Sequence, residues 1–317
     1  MRNYLFALVL FFCSINFLYS VPKDSLQISF QSEGYKLEGK LVKPSNPKGK
    51  TPVVIFLLGS GGYSSHSRDY KKFLEFFLEN PFQEKEVSFL YFDKRGVAPS
   101  EGKWYKTTFE ERAVDAKNAA EYLKTLPYID ENRIYLVGHS QGGWIVQIAL
   151  AEYPEVFAGG VSMAGPTFGV RKQVINEYQS KLICSEELPA DEAWAKATKQ
   201  VRGIFTFVSI LPLKEDWKQL KRIKKFEPSP FLLNIKKPVL LMFAENDALV
   251  NPSKSMDELN NLFPDGIPAN IQSHISLGVN HSFKTSPLCY RGKWSDLEYS
   301  VKSREVMKDW FIREIEK

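Results

Sequence analysis

The chain is poor in cysteine and histidine, the side chains that most often hold transition metals. It has four histidines and three cysteines among 317 residues, and neither a Cys-x-x-Cys nor a His-x-x-x-His pattern occurs. Structural zinc sites usually draw their ligands from such closely spaced pairs. The sequence therefore predicts no metal site.

An excess of charge of one sign is also lacking. The formal net charge is +5, from 42 lysines and arginines against 37 acidic residues. So mild an excess does not favour nucleic-acid binding, and a solvated helix face explains the densest basic cluster more simply. We therefore expect no nucleic-acid partner. The cluster consists of Lys218, Lys221, Arg222, Lys224 and Lys225.

The only leader-like hydrophobic run lies at the N-terminus. Arg2 precedes an apolar stretch over 4–12, and small Ser20 follows eight residues later. This arrangement is typical of a signal peptide, whereas a membrane span needs about 18 apolar residues. Residues 1–20 are predicted to be a cleaved signal peptide, with a retained anchor as the alternative. We expect an exported protein, periplasmic or secreted, without stable membrane insertion once the leader is removed.

Removal of that leader would leave two cysteines, Cys184 and Cys289. An oxidising compartment would permit a disulfide between them. The spacing in the chain does not show whether the two residues come within bonding distance. A disulfide and two free thiols therefore both remain open.

Hydrophobic patterning after the leader predicts strands that alternate with helices. The continuous apolar run over 53–58 is typical of a strand buried on both faces of a parallel sheet. Repeated alternation of this kind predicts an α/β protein with a doubly wound, mostly parallel sheet. The predicted strands are 25–31, 35–42, 53–58, 87–92, 133–137, 157–163, 238–243 and 271–277. The predicted helices are 68–79, 108–126, 141–153, 253–263 and 300–315.

One long stretch interrupts the alternation. Residues 166–234 are polar, rich in lysine and helical in pattern, and they lie between two predicted strands. We expect this segment to form a helical lid over the ends of the sheet strands. The predicted organisation is a core made of 21–165 and 235–317, with 166–234 as an insertion.

The strongest catalytic signal is Gly-His-Ser-Gln-Gly at 138–142. It matches the Gly-x-Ser-x-Gly pattern of a nucleophile elbow, in which a strand turns sharply into a helix. So tight a reversal needs glycine on both sides of the serine, because side chains there would clash. A predicted strand precedes the motif and a predicted helix follows it. We therefore predict that Ser140 is a catalytic nucleophile.

A serine nucleophile needs a general base, because its hydroxyl is weakly nucleophilic at neutral pH. His281 follows the last predicted strand, at the sheet edge where Ser140 is also expected, so we predict that His281 is the base. His139 is expected to point into the fold, and His274 lies in a predicted strand. His66 follows an early strand and could line the site.

The base in turn needs a carboxylate that holds its tautomer. Asp247 follows the predicted strand at 238–243 and is the predicted partner of His281, with Glu245 as the alternative. The order serine, aspartate, histidine is the one expected for an elbow of this type.

Acyl transfer also needs hydrogen-bond donors for the oxyanion. The backbone N–H of Gln141 is one predicted donor. The second is expected from Ser60 or Gly61, in a glycine-rich loop that follows the buried strand at 53–58. A flexible loop without this role is the alternative.

Together these motifs resemble the α/β-hydrolase superfamily, nearest to its secreted esterase-like and dienelactone-hydrolase-like serine hydrolases. Segment 57–62 resembles the oxyanion loop of that family, and 91–100 resembles its Asp-x-Arg-Gly-x-Gly-x-Ser turn. Leu58 stands where many members have histidine, and Ala98 replaces a glycine. Two charged residues of the turn are expected to brace it, namely Asp93 and Arg95.

The resemblance implies a serine hydrolase that cleaves small-molecule carboxylic esters through an acyl-enzyme, with neither metal nor organic cofactor. An exported serine peptidase and an acyltransferase use the same residues and remain alternatives. A non-catalytic binding protein on the same fold is a third alternative. The oligomeric state stays open.

Overall fold

An eight-stranded sheet with helices on both faces organises the protein in a computed structural model that describes residues 21–97 and 99–317. The predicted signal peptide over 1–20, and Ala98 of the family-like turn, lie outside the described residues. Within the described ranges, no helix is both long and apolar enough to cross a membrane.

The sheet is mostly parallel, as predicted. Its strand order is β1-β2-β4-β3-β5-β6-β7-β8, and only the β1–β2 and β2–β4 pairs are antiparallel. The strands are β1 (Lys23–Ser32), β2 (Tyr35–Pro44), β3 (Thr51–Leu57), β4 (Ser88–Phe92), β5 (Ile129–His139), β6 (Gly159–Met163), β7 (Val239–Ala244) and β8 (Ile271–Ser276).

Helices connect the parallel strands and cover both faces. The α-helices are α1 (Arg68–Leu74), α2 (Phe109–Lys124), α3 (Gln141–Glu152), α4 (Val170–Glu186), α5 (Ala190–Ile210), α6 (Glu215–Ile223), α7 (Ser229–Leu232), α8 (Pro252–Leu262) and α9 (Val301–Ile315). The predicted helix at 68–79 is interrupted, because α1 passes into a wider π-helical turn at Glu75–Glu79.

The hydrophobic core has one layer on each face of the sheet. Along β3 every residue is buried. Val53 and Ile55 pack in one layer, and Val54 and Phe56 pack in the other. Successive side chains of a strand point to opposite faces, so a continuously apolar strand is buried on both.

Strand β5 begins four residues earlier than the predicted strand at 133–137. Its first residues include Asp130, Glu131 and Asn132, which are partly or fully exposed. Hydrophobic patterning detects only the buried part of a strand, so this polar extension escaped the prediction.

Four helices, α4 to α7, lie between β6 and β7, within the predicted insertion. Helices α4 and α5 enclose a small hydrophobic cluster of their own. Cys184 at the end of α4 forms a disulfide with Cys289, which follows β8, and the two Cα atoms are 5.2 Å apart. The division of the chain into core and lid stays a prediction. The cluster consists of Ile175, Leu182, Ala193, Ala197 and Val201.

Candidate active site

Ser140 lies at the sharp turn between β5 and α3. Its backbone has φ 58° and ψ −121°, a left-handed conformation that non-glycine residues rarely adopt. The N–H of Ser140 donates to the carbonyl of Met163 in the neighbouring strand at 2.9 Å. The chain thus holds a strained serine in place through the sheet, as a nucleophile elbow requires.

The glycines around Ser140 are required by backbone contacts. A Cβ atom on Gly138 would lie 2.0 Å from the carbonyl oxygen of Gly142, and a Cβ on Gly142 would lie 2.0 Å from the carbonyl oxygen of Leu57. Backbone atoms cannot move aside as side chains do. Only glycine therefore fits at either position.

Asp247 and His281 form a buried pair at the carboxyl ends of β7 and β8. Nδ1 of His281 is 2.7 Å from Oδ2 of Asp247. The other carboxylate oxygen accepts hydrogen bonds from the N–H groups of Leu249 and Val250, at 2.8 and 2.9 Å. This contact favours the tautomer with the proton on Nδ1, which leaves Nε2 of His281 able to accept a proton.

No hydrogen bond joins Ser140 Oγ to His281 in the described part of the chain. His139, the residue before Ser140, contacts His281 directly. Its Nε2 is 2.9 Å from the carbonyl oxygen of His281, and the centroids of the two imidazole rings are 5.0 Å apart. Catalytic serine–histidine contacts often tighten only when substrate binds. The structure brings the elbow and the Asp247–His281 pair to the same edge of the sheet.

The remaining histidines are poorly placed to act as a base. Burial, with a further contribution from His281, lowers the pKa of His139 to about 3, so this ring stays neutral. His66 is exposed and does not line the pocket at Ser140, and His274 lies within β8.

Glu245, the alternative to Asp247, has a different partner. Its carboxylate accepts a hydrogen bond from the N–H of Gly278 at 2.7 Å, so it supports the loop that carries His281.

A pocket of about 430 Å³ opens beside the elbow. Ser140 and Gln141 line it together with Ser60 and Gly61, so the predicted oxyanion residues share one pocket with the predicted nucleophile. Helices α4 and α6 form the opposite wall. Neither Asp247 nor His281 lines this pocket.

Two buried cations that the sequence analysis missed hold the loop after β3. Nζ of Lys94 donates to the carbonyl oxygen of Gly59 at 2.7 Å, and the guanidinium of Arg112 donates to the carbonyl oxygen of Leu58. The N–H of Gly59 is itself engaged, since it donates to the hydroxyl of Tyr70 at 3.0 Å. The position of this loop is therefore set by side chains from α1, from α2 and from the turn after β4.

Burial lowers the pKa of both side chains, because it disfavours their charged forms. It lowers the pKa of Lys94 well below the usual value, and the charge of Arg112 lowers it further. Burial lowers the pKa of Arg112 to about 10. Arg112 lies on the buried face of α2 with Phe109 and Ala116, so its helical spacing was the one available signal that it is not a surface residue.

The charged residues of the family-like turn have structural partners. The carboxylate of Asp93 accepts hydrogen bonds from the hydroxyl of Ser64 and from both the N–H and the hydroxyl of Ser65. Arg95 forms a two-pronged ion pair with buried Asp115 of α2. Asp93 therefore holds the loop after β3, and Arg95 joins the turn to α2.

Comparison with known proteins agrees with this geometry. The model of the prolyl oligopeptidase family matches residues 75–181, which include the elbow. The chain is 24% identical over 160 residues to a poly(3-hydroxyalkanoate) depolymerase of Paucimonas lemoignei, covering 48% of this chain and 36% of the depolymerase. It is 23% identical over 254 residues to a rat acylamino-acid-releasing enzyme, covering 79% and 31%. The chain thus spans about a third of the length of these curated relatives.

Solved structures resemble the whole described fold. Est1E from Butyrivibrio proteoclasticus, solved with ferulic acid bound, superposes with a TM-score of 0.59 at 19% identity, covering 92% of this chain and all of Est1E. At this identity the likeness establishes the fold. The predicted α/β-hydrolase fold is therefore confirmed, and the predicted resemblance to that superfamily agrees with these comparisons.

Proposed function

We propose that the protein hydrolyses carboxylic esters of small molecules through an acyl-enzyme on Ser140. The observation that carries this proposal is the pairing of a strained serine elbow with the buried Asp247–His281 pair at 2.7 Å, on the same edge of one sheet. The names of similar proteins add support, since they include an esterase of Pyrococcus furiosus and the poly(3-hydroxyalkanoate) depolymerase.

In the proposed mechanism, Ser140 Oγ attacks the ester carbonyl carbon while Nε2 of His281 takes the hydroxyl proton. The alcohol then leaves with that proton, and water activated by His281 releases the acid. Asp247 stabilises the imidazolium that forms in each step. These side chains complete the chemistry without a metal or an organic cofactor.

The oxyanion is proposed to bind the backbone N–H of Gln141 at the start of α3, where the first N–H groups lack helical partners. Ser60 is favoured over Gly61 as the second donor. A planar trans peptide directs its C=O and N–H in opposite directions, so the carbonyl of Gly59, held by Lys94, turns the N–H of Ser60 away from Lys94. Ser60 also lines the pocket.

A peptidase is the second candidate, because the family model that matches residues 75–181 is that of prolyl oligopeptidases. Acyl transfer to an alcohol and non-catalytic binding also remain compatible with the fold.

Export through the leader at 1–20 is a further part of the proposal. The Cys184–Cys289 disulfide supports it, since such bonds persist in oxidising compartments.

The test is labelling of the purified protein with a fluorophosphonate, followed by hydrolysis of matched p-nitrophenyl esters and peptide p-nitroanilides. We expect one label, on Ser140, and faster turnover of esters than of anilides. Ser140→Ala removes the label, while Ser60→Ala keeps it, because the proposed role of Ser60 uses its backbone. A folded protein that takes no label would replace this proposal with the binding-protein alternative, and faster anilide turnover would favour the peptidase.

A further inference from the structure

The pocket beside Ser140 differs in charge from the rest of the molecule. Two carboxylates line it, Glu177 of α4 and Asp216 of α6, and none of the described lysines and arginines does. The chain as a whole carries a formal net charge of +5. An acidic pocket in a basic chain attracts positively charged ligands and disfavours anionic ones.

The two carboxylates are weakly neutralised by their surroundings. Within the described ranges Asp216 forms no ion pair, and it lies in the exposed first turn of α6. Glu177 pairs with Lys181 one helical turn away at 2.8 Å, and that lysine side chain is 62% exposed. Exposed pairs of this kind are weak, so Lys181 leaves most of the charge of Glu177 available to a ligand.

Two amide side chains of the same pocket lack partners. Gln219 is only 5% exposed, lines the pocket one turn after Asp216, and makes no hydrogen bond to another described residue. The side-chain carbonyl oxygen of Gln141 is buried without a donor among the described residues. The Gln141 oxygen is closed off from the pocket, so the ligand is indicated by Gln219. A side chain buried this far nearly always has a hydrogen-bond partner, and its amide can both accept from and donate to a ligand in the pocket.

The acidic and the basic side chains of α6 line different cavities. Asp216 and Gln219 line the pocket at Ser140, whereas Lys218, Lys221 and Arg222 line a separate surface cleft. The basic residues of the helix are therefore kept out of the pocket. This arrangement directs the acidic side of α6 toward the substrate.

We propose that the pocket binds a protonated amine, so that the preferred substrates are esters whose acyl or alcohol arm carries an ammonium group. This inference rests on the proposed esterase function. A primary ammonium supplies both the positive charge that Glu177 and Asp216 attract and a donor for the amide oxygen of Gln219. An apolar tail would leave these acceptors unpaired, and a carboxylate would be repelled.

The acyl arm is tested with three p-nitrophenyl esters that differ only at the end of a five-methylene chain. The 6-aminohexanoate ends in ammonium, the heptanoate in methyl and the heptanedioate monoester in carboxylate. We expect kcat/KM to fall in that order, with the ammonium ester ahead of the methyl ester by about tenfold. The alcohol arm is tested by comparing 6-aminohexyl butyrate with heptyl butyrate, which differ only in ending in ammonium or in methyl.

Variants then assign the preference to the pocket. In Asp216→Asn and Glu177→Gln the ratio of kcat/KM for the charged over the neutral ester is expected to fall about threefold each, and in the double variant to approach one. Glu215→Gln is the matched control, because Glu215 is exposed in the same turn of α6 and does not line the pocket. We expect it to leave the ratio unchanged.

The outcomes separate this inference from the function on which it rests. Failure to hydrolyse any of these esters, together with absent fluorophosphonate labelling, would overturn both. Hydrolysis of the heptanoate without a preference for the cation on either arm would overturn the ammonium site alone. The same conclusion would follow from a preference that survives in the double variant.

Discussion

The sheet core and the helices inserted between β6 and β7 differ in how closely the backbone is packed. At the elbow, a single added methyl group on Gly142 would collide with the backbone of β3. In α5 of the insertion, a methyl group on Gly203 would meet nothing within 4 Å, and the nearby side chains of Phe207 and Ile210 are largely exposed. The proposed chemistry, which needs fixed geometry, would thus lie in the closely packed region, while α4 and α6, between β6 and β7, supply one wall of the pocket.

The sharpest test of the core is Asp247→Asn. The amide oxygen can replace one carboxylate contact, but the imidazolium of His281 loses its counter-charge and its Nδ1 proton loses a strong acceptor. We expect kcat to fall by about 10⁴-fold, while the protein stays folded with little change in its free energy of unfolding. Steady-state kinetics with p-nitrophenyl heptanoate check this, with Glu245→Gln as control. Equal losses in the two variants would contradict the assignment of Asp247.

Replacement of Gly142 by alanine tests the packing difference directly. Because the new Cβ would overlap the carbonyl of Leu57, we expect a loss of about 4 kcal/mol in the free energy of unfolding, or failure to fold. The matched change Gly203→Ala fills open space in a helix and is expected to stabilise the protein by about 0.5–1 kcal/mol. Denaturant unfolding of both variants measures the contrast. Similar effects in both would contradict the proposed difference between core and insertion.

The disulfide is the covalent link between α4 and the segment that follows β8. A double variant, Cys184→Ser with Cys289→Ser, is expected to lower the free energy of unfolding by about 2–4 kcal/mol, because the bond closes a long loop. Limited proteolysis should then cut first within the insertion. Wild-type protein treated with a reductant is the control. An unchanged cleavage pattern would show that the core already holds these helices in place.

Lys94→Met tests whether this buried lysine positions the loop after β3, which is the proposed oxyanion loop. Methionine fills the space but leaves the carbonyl of Gly59 without its donor. We expect kcat to fall by about 10- to 100-fold with little change in KM or in the free energy of unfolding. Lys103→Met, at an exposed position nearby, is the control. A loss of stability that parallels the loss of kcat would reduce Lys94 to a structural role.

A gradual effect of about 1.4 kcal/mol per pH unit is expected on acid stability. His139 has a pKa of about 3 in the fold against an ordinary value of 6.5, so the unfolded chain binds its proton first as the pH falls. The contribution of neutral His139 to the free energy of unfolding is therefore fully present above pH 6.5. As the pH falls from 6.5 to 3, the free energy of unfolding decreases by about 1.4 kcal/mol per pH unit. His139→Gln should flatten this slope in unfolding measurements, whereas His66→Gln, at an exposed position, should not. An unchanged slope in His139→Gln would exclude the histidine as its cause.

Much of the core was predictable because its signals are local. A buried strand such as β3 needs a continuous apolar run, and a nucleophile elbow needs glycine beside Ser140, so both requirements appear as short patterns. The pairing of Asp247 with His281 also followed, although 34 residues separate them, because the carboxyl ends of neighbouring parallel strands lie at one edge.

Other features depend on which distant segments come together. The sequence determined the fold class, the elbow and the candidate triad through periodicity and steric necessity. The tertiary structure alone decided that Lys94 and Arg112 are buried against the loop after β3, that Cys184 meets Cys289, and that Glu177 and Asp216 share a pocket. Each of these residues is polar or isolated in the chain, and its role arises from neighbours that no local pattern records.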